Sequence, residues 1–412
     1  MKSTAHRLSI VIALVFAIGA VTPVFADYAA GMAAYKAKDY ATAAAEFEAL
    51  IEAQPDQPAT HYMLGLCRRA QRDVSGAVAS FRKAVELDSA AESPNPMYPI
   101  TLGQTLVQAK QYNEAYTTLK GLSLASLPAN YKTTYALLFA NAANETDRSG
   151  EAVNVLNAQI RADSSNAALY QALGVAQDNL GYDKDAYTAF RRAYDLNKDE
   201  KIGRYAVHSA TEAAKRGSPS EKTRYYTEAA KTAEAMAAAN GSFENNLLVG
   251  ESWMGAKQYS KALTSFNKAA GQKSQNAIVR FYIGQCYSKL EQYDNALSAL
   301  QQALKLGSNN ADLRKKIYNQ MGYVYEAKRD FGKAKQAYLD GGFSSKANAM
   351  NAKIEAQAGN LEHEKQCREF KLKIDALSLQ AEEFEKLGDM ESAKQIREQA
   401  VVLQREYTKT CG

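Results

Sequence analysis

One spacing of small residues recurs through most of this sequence. A glycine is followed twelve residues later by an alanine, and four residues after the alanine stands a large apolar residue, as in Gly31, Ala43 and Phe47. Seven such pairs are present: Gly31 with Ala43, Gly65 with Ala77, Gly103 with Ala115, Gly174 with Ala186, Gly250 with Ala262, Gly284 with Ala296, and Gly322 with Ala334. An eighth pair, Ala140 with Ala152, has alanine in place of the glycine. Two of the glycine-to-glycine steps are 34 residues long, and a fixed period of this length is typical of a repeat array.

The period predicts a pair of helices in each repeat. Two helices of about 14 residues and a tight turn account for the repeat length. Small residues let the two helices of a repeat approach closely, and the large apolar residue is expected to fill the gap between repeats. One such pair cannot bury its apolar face alone, so neighbours must stack into a continuous core. The predicted fold is therefore all-α.

The pattern fails between residues 197 and 242. The step from Gly174 to Gly250 is 76 residues, which leaves room for one degenerate repeat with eight extra residues. Residues 201–216 and 220–240 still have the composition of helices, and a Gly-Ser-Pro turn separates them. We therefore expect the array to continue through this segment.

A large apolar residue before most of the glycines completes a four-position signature, and this signature resembles that of the tetratricopeptide repeat (TPR) family. Pro55, near the end of the first repeat, fits the family pattern as well. The resemblance covers residues 27–342 and implies a right-handed superhelical solenoid of antiparallel helix pairs. It also implies that the protein binds other proteins, and it does not identify the partner.

In this family the first helix of each repeat lines a concave groove. The resemblance therefore implies that groove residues stand three positions before, and one position after, the repeat glycine. The positions that we single out are Tyr28, Met32, Tyr62, Leu66, Ile100, Gln104, Leu137, Asn141, Phe281 and Tyr323, and the same rule adds Gln171, Val175, Leu247, Glu251, Gln285 and Asn319. These positions contain no Lys or Arg, so the basic clamp that some members use for a terminal carboxylate is absent. Alternatively, individual side chains among them belong to the core, since a repeat register can be off by one residue.

Residues 343–412 follow a different pattern. Apolar residues step alternately by four and three from His363 to Phe384, and again from Ala393 to Tyr407, on either side of Gly388. Such steps are typical of a heptad seam. Folded back at Gly388, the two seams are in register, which predicts a long helical hairpin that closes the end of the array. A dimerising coiled coil is the alternative, so the protein is expected to be a monomer, or a dimer through these helices.

The hairpin register brings Cys367 opposite the chain end, next to Cys411. In an oxidising compartment this position favours a disulfide between them. Two free thiols are the alternative. The other two cysteines, Cys67 and Cys286, are six repeats apart and are expected to be small buried apolar residues.

The N-terminus has the features of an export signal. Lys2 and Arg7 precede an almost wholly apolar run from Leu8 to Val21, and small residues end the segment at Ala26. This pattern is typical of a secretory signal peptide of bacterial type, with cleavage after Ala26 and a periplasmic destination in a Gram-negative cell. The apolar run is shorter than a spanning helix needs; an uncleaved anchor is the alternative. No later run is long enough, so no transmembrane segment is expected in the mature chain.

Charge and composition exclude several function classes. The net charge of +5 is too weak to indicate nucleic-acid binding. His61, His208 and His363 have no partners at metal-ligand spacing, apart from His363 with Cys367, for which the sequence suggests no third ligand. No phosphate-binding glycine loop is present. We therefore expect no enzyme activity, cofactor or metal.

These observations predict a non-catalytic interaction scaffold of the cell envelope that binds a peptide or helix of a partner protein in the groove. The alternative is a structural envelope component that binds cell-wall glycan or a membrane complex through the convex face.

Overall fold

The computed structural model describes residues 27–411. The expected signal peptide, residues 1–26, lies outside the described residues. Within 27–411 the chain forms twenty α-helices and no strand, which confirms the all-α prediction. Its contacts divide it after Asn197 into a first and a second unit.

The first unit contains five helix pairs. Its helices are α1 (Tyr28–Lys36), α2 (Tyr40–Ala53), α3 (Pro58–Ala70), α4 (Val74–Asp88), α5 (Met97–Gln108), α6 (Tyr112–Lys120), α7 (Ala129–Asn144), α8 (Ser149–Ala162), α9 (Ala167–Asn179) and α10 (Asp183–Asn197). Each repeat glycine, or Ala140, lies in the first helix of a pair, and each repeat alanine lies in the second. A continuous apolar core runs through these pairs.

The second unit also contains five helix pairs. Its helices are α11 (Glu200–Arg216), α12 (Pro219–Ala239), α13 (Phe243–Gly255), α14 (Tyr259–Gln272), α15 (Ala277–Lys289), α16 (Tyr293–Leu306), α17 (Ala311–Ala327), α18 (Phe331–Asp340), α19 (Ser344–Lys386) and α20 (Met390–Cys411). The pair α11 and α12 is the degenerate repeat, and its helices begin within one residue of the predicted positions. The turn between them carries a capping box, in which Ser218 and Glu221 bond reciprocally to each other's backbone amides.

The glycine of each repeat leaves space for the side chain of the large residue sixteen positions later. A Cβ added at Gly65 would lie 2.6 Å from ring atoms of Phe81, and one added at Gly250 would lie 2.4 Å from the ring of Phe266. Both rings are fully buried. The large residue therefore fills the space between the two helices of its own repeat, whereas the sequence analysis placed it between repeats.

The turns within the repeats have one conformation in common. The residue seven positions after the repeat glycine, or after Ala140, has a positive φ, between 59° and 72°. Only Gly181 among them is a glycine; the others are Lys38, Arg72, Lys110, Asp147, Lys257, Glu291 and Arg329. In several repeats the next residue, such as Asp39 or Asp73, then caps the following helix by accepting a bond from its backbone amide. This left-handed residue reverses the chain within a turn of three residues.

Helices α19 and α20 form the predicted hairpin. The chain reverses at Gly388, whose φ is +85°. Of the seam residues, Ala381 and Ala393 are buried, and Arg397 pairs with Glu385 across the hairpin at 2.8 Å. The beginning of α19 packs against the last repeat, where Met350 joins a small core with Tyr338. No helix within residues 27–411 is both long and apolar enough to cross a membrane.

Candidate peptide-binding grooves

An open depression of about 330 Å³ lies between the first helices of two adjacent repeats in the first unit. We call it the first-unit groove. It lies between α7 and α9, which pack directly against each other. Its lining consists of Leu137, Asn141, Asn144, Glu145, Ala168, Gln171, Ala172 and Val175. The structure thus brings together four of the residues that the family resemblance placed in a groove, namely Leu137, Asn141, Gln171 and Val175.

The first-unit groove combines apolar side chains with amides. Leu137 and Val175 are half-buried, while Asn141 is exposed. The side-chain oxygen Oδ1 of Asn144 is buried and has no hydrogen-bond partner among the described residues. Glu145 supplies the one formal charge of the lining. A surface of this composition can contact both the apolar side chains and the backbone amides of a peptide.

A second depression, of about 450 Å³, lies between α15 and α17 in the second unit. We call it the second-unit groove. The predicted groove residues Phe281, Gln285 and Asn319 line it, together with Ile278, Tyr282, Asn310, Asp312, Leu313, Lys316 and Gln320. This lining is more polar, because it includes one acid and one base. Ile278 at its edge is 46% exposed.

A half-buried carboxyl group lies beside the second-unit groove. Glu251 on α13 is hydrogen-bonded to Tyr282, whose ring stacks on that of Phe266 with centroids 5.1 Å apart. Burial raises the pKa of Glu251 above its usual value of 4.5, against the opposing effect of the Tyr282 hydroxyl. Burial and the neighbouring Glu251 together raise the pKa of Tyr282 to about 12.

Replacing Glu251 with glutamine should therefore stabilise the protein at neutral pH. A raised carboxyl pKa means that the unfolded chain loses its proton first as the pH rises, so stability falls between pH 4.5 and the folded pKa. Glutamine can still accept the bond from Tyr282 and carries no charge. We expect urea unfolding to show a gain for Glu251→Gln at pH 7 that disappears near pH 4.

Glu244 on the same helix is the matched control. It is exposed, and its bond to Lys273 lowers its pKa, so its ionised form stabilises the fold above the unfolded pKa. Glu244→Gln should therefore reduce stability slightly at pH 7. A loss of stability in both variants at pH 7 would contradict the assignment for Glu251.

Tyr62 and Ile100 do not line a groove, contrary to the implication of the resemblance. They are 9% and 5% exposed. The Tyr62 hydroxyl lies 3.3 Å from the Thr101 hydroxyl, and its ring packs 5.0 Å from that of Tyr98. Side chains of α5 cover Tyr62 at this point. Tyr62 and Ile100 both belong to the apolar core of the first unit.

The other expected groove residues have mixed environments. Tyr28 is 39% exposed and packs on Phe47, and Tyr323 is 47% exposed beside Lys289. Met32, Leu66 and Gln104 are half-buried and line neither groove. Among the described residues, expected groove positions therefore line a depression at the junction of α7 with α9 and at that of α15 with α17.

Some residues that line the first-unit groove were not predicted from the sequence. Asn144 and Glu145 follow Asn141 by about one helical turn, and Ala168 precedes Gln171 by three residues. The helical period by itself could have extended the two expected positions of each repeat to these residues.

Family models match three parts of the chain. Two tetratricopeptide repeat models match residues 28–93 and residues 315–340. The model of subunit 3 of the anaphase-promoting complex, or cyclosome, matches residues 222–303. No sequence of a curated protein matches the chain.

Several solved structures are similar to parts of the chain. The C-terminal part of a TPR repeat-containing protein from Cytophaga hutchinsonii is 15% identical, with a TM-score of 0.43, over 62% of this chain and 98% of that one. MamA from Desulfovibrio magneticus is 16% identical, with a TM-score of 0.33, over 43% and 97%. Yeast Tom70 is 14% identical, with a TM-score of 0.32, over 92% of each chain.

The family models match segments at the start, in the middle and near the end of the array. Between the first two matches, the pairs α5–α6 and α9–α10 have the same packing of a large residue against the repeat glycine. Tetratricopeptide repeats are therefore present in this chain at residues 28–93 and 315–340.

Proposed function

We propose that the chain is a non-catalytic scaffold that binds a peptide segment of a partner protein in the first-unit groove. The observation that supports this most directly is the buried Oδ1 of Asn144, which lacks a partner within residues 27–411. An unsatisfied buried acceptor costs roughly 1–3 kcal/mol. Since Asn144 lines the groove, rotation of its side-chain amide toward the groove would let a backbone N–H of a bound peptide satisfy this oxygen.

The chemistry of the lining restricts the partner. Leu137 and Val175 provide apolar contact, and Asn141 and Gln171 provide donors and acceptors for a peptide backbone. Since the lining has no Lys or Arg and one acid, Glu145, it favours a neutral or basic internal segment over a C-terminal carboxylate. Seven of the eight residues lie on α7 or α9, and Glu145 directly follows α7, so the site is formed before binding and the ordering cost is low.

Peptide display tests this proposal directly. Peptides selected on the wild-type protein should be neutral or basic and rich in apolar residues. Asn141→Arg places a long cation in the groove at an exposed position, so it should weaken binding of these peptides by more than about tenfold, or about 1.4 kcal/mol.

The matched control is Asn154→Arg. Asn154 is exposed on α8, the second helix of the same repeat, and does not line the groove. The Asn154→Arg variant should bind the selected peptides with the affinity of the wild type. Equal affinities for the wild type and both variants would place the binding site elsewhere and would refute the proposal.

We further propose that this binding takes place in the cell envelope. The support is the basic start, the apolar run and the small residues at Val24 and Ala26 in the expected signal peptide. N-terminal sequencing of the exported protein tests the location, with Asp27 as the expected first residue.

A further inference from the structure

Three side chains with metal-binding chemistry meet at the end of the hairpin. His363 and Cys367 lie one turn apart on α19, and Cys411 lies at the end of α20. Their donor atoms all lie within 4.8 Å of one another. From the sequence, His363 and Cys367 were a possible metal-binding pair and Cys411 was a disulfide partner of Cys367; the three were not combined into one site.

Cys367 and Cys411 form a disulfide in the structure. As a disulfide, the two sulfur atoms are poor metal ligands, because the thiolate is the form that binds. Reduction would give two thiols. The hairpin would keep them close together, since the Cα atoms of Cys367 and Cys411 are 5.7 Å apart. The two thiolates around a tetrahedral Zn²⁺ ion need a separation of about 3.8 Å, given Zn–S bonds of about 2.3 Å. Side-chain rotation within the existing hairpin can supply this separation.

A hydrogen bond to the backbone fixes the tautomer of His363 beside Cys367. Its Nε2 lies 2.9 Å from the backbone carbonyl of Thr410. A carbonyl oxygen only accepts, so Nε2 carries the proton and Nδ1 carries the free lone pair. Both ring nitrogens, Nδ1 and Nε2, lie 3.9 Å from the sulfur of Cys367, so a small rotation of the ring would bring Nδ1 to a shared ion. A histidine that donates its second ring N–H to a backbone carbonyl is the usual arrangement at metal sites, since this bond fixes the tautomer and the ring.

We propose that, when the disulfide is reduced, His363, Cys367 and Cys411 bind one Zn²⁺ ion with one coordination position left to water. A dithiol reductant opens the disulfide: it gives up two electrons and two protons, becomes a disulfide itself, and leaves two thiols on the protein. Zn²⁺ then displaces both thiol protons and accepts the Nδ1 lone pair. The ion replaces the covalent link, so the chain end stays joined to α19 in both redox states.

The remaining cysteines do not compete for the ion. Cys67 and Cys286 are fully buried in the repeats. Burial raises the pKa of Cys67 to about 11 and that of Cys286 to about 12, so their thiols stay protonated at neutral pH. Zinc bound at one equivalent is therefore expected at the chain end.

Titration of the full chain with Zn²⁺ in competition with a coloured chelator tests the proposal. The protein is reduced with a dithiol, which is then removed without admitting air. The reduced wild type should bind one equivalent of Zn²⁺, and the oxidised wild type should bind none at this site. Co²⁺ at the same site should give the intense visible absorption of a tetrahedral thiolate complex.

Two variants assign the ligands. Cys411→Ser should lose the equivalent of bound Zn²⁺. His363→Ala keeps both cysteines and should weaken Zn²⁺ binding by at least about tenfold. Loss of a residue that only hydrogen-bonds to a metal ligand already weakens binding by about that factor, and His363 is a ligand itself. A Cys67→Ala/Cys286→Ala variant, checked for helicity by circular dichroism, should retain one equivalent. Equal binding by reduced and oxidised wild type, or by His363→Ala and wild type, would overturn the proposal.

Discussion

Replacing Cys411 with serine is expected to lower the stability of the C-terminal hairpin by up to about 4 kcal/mol, the chain-entropy estimate for a closed loop of this size. The bond joins residues 44 positions apart in sequence. Apart from Ala381 and Ala393, the seam residues from Cys367 to Tyr407 are only half-buried. Apolar packing in the hairpin is therefore limited, and the covalent link carries a large share of its stability.

Hydrogen exchange measured along α19 and α20 checks this prediction. In the presence of a metal chelator, amides of the hairpin should exchange faster in Cys411→Ser than in the oxidised wild type, whereas those of α3 should not change. The double variant Cys367→Ser/Cys411→Ser should match the single variant, because either change removes the same bond. Reduced wild type should behave like the variants; if reduction leaves the hairpin amides unchanged, the bond does not stabilise this part of the chain.

Replacing Gly250 with alanine is expected to destabilise the second unit. A Cβ there would lie 2.4, 2.6 and 2.8 Å from three ring atoms of Phe266, a fully buried side chain. Overpacking of this kind costs about 1–3 kcal/mol. The gain in helix propensity from glycine to alanine, about 1 kcal/mol, offsets only part of this cost. Urea unfolding followed by circular dichroism should show a net loss.

Gly359→Ala is the matched control for this substitution. Gly359 lies inside α19, is exposed, and has no atom within 4 Å of an added Cβ. The same change should therefore stabilise the helix there by about 1 kcal/mol. If both substitutions stabilise, the glycine of the repeat is not a packing requirement.

The chain itself suggests how to rescue Gly250→Ala. In the one repeat with alanine in this position, Ala140, the residue sixteen positions later is Leu156 rather than a ring, and both are fully buried. Adding Phe266→Leu to Gly250→Ala should therefore recover part of the lost stability. A double variant less stable than either single variant would show that the two positions do not pack as the structure indicates.

Local pattern was sufficient to predict the fold. The 34-residue period determines where the helices begin, because two short helices joined by a tight turn account for a repeat of this length. The degenerate repeat was also predictable, since the helices of residues 200–239 keep their own signals, including the Gly-Ser-Pro turn. The heptad seams predicted the hairpin register, and with it the approach of Cys367 to Cys411.

The candidate site depended on tertiary packing. Tyr62 and Leu137 occupy the same position in their repeats, yet Tyr62 is buried and Leu137 lines the first-unit groove. The difference arises because the side chains of the next first helix decide what is covered: Tyr98 and Thr101 cover Tyr62, while the small residues Ala168 and Ala172 leave Leu137 open.

The sequence by itself thus determined the repeat, the helices and the end hairpin, because these follow from spacing along the chain. Only the tertiary structure decided which expected groove residues are accessible, that Asn144 has an oxygen without a partner among the described residues, and that the ring of His363 lies beside both sulfur atoms. The reason is that exposure and ligand geometry depend on side chains brought together from different helices, and no single repeat contains that information.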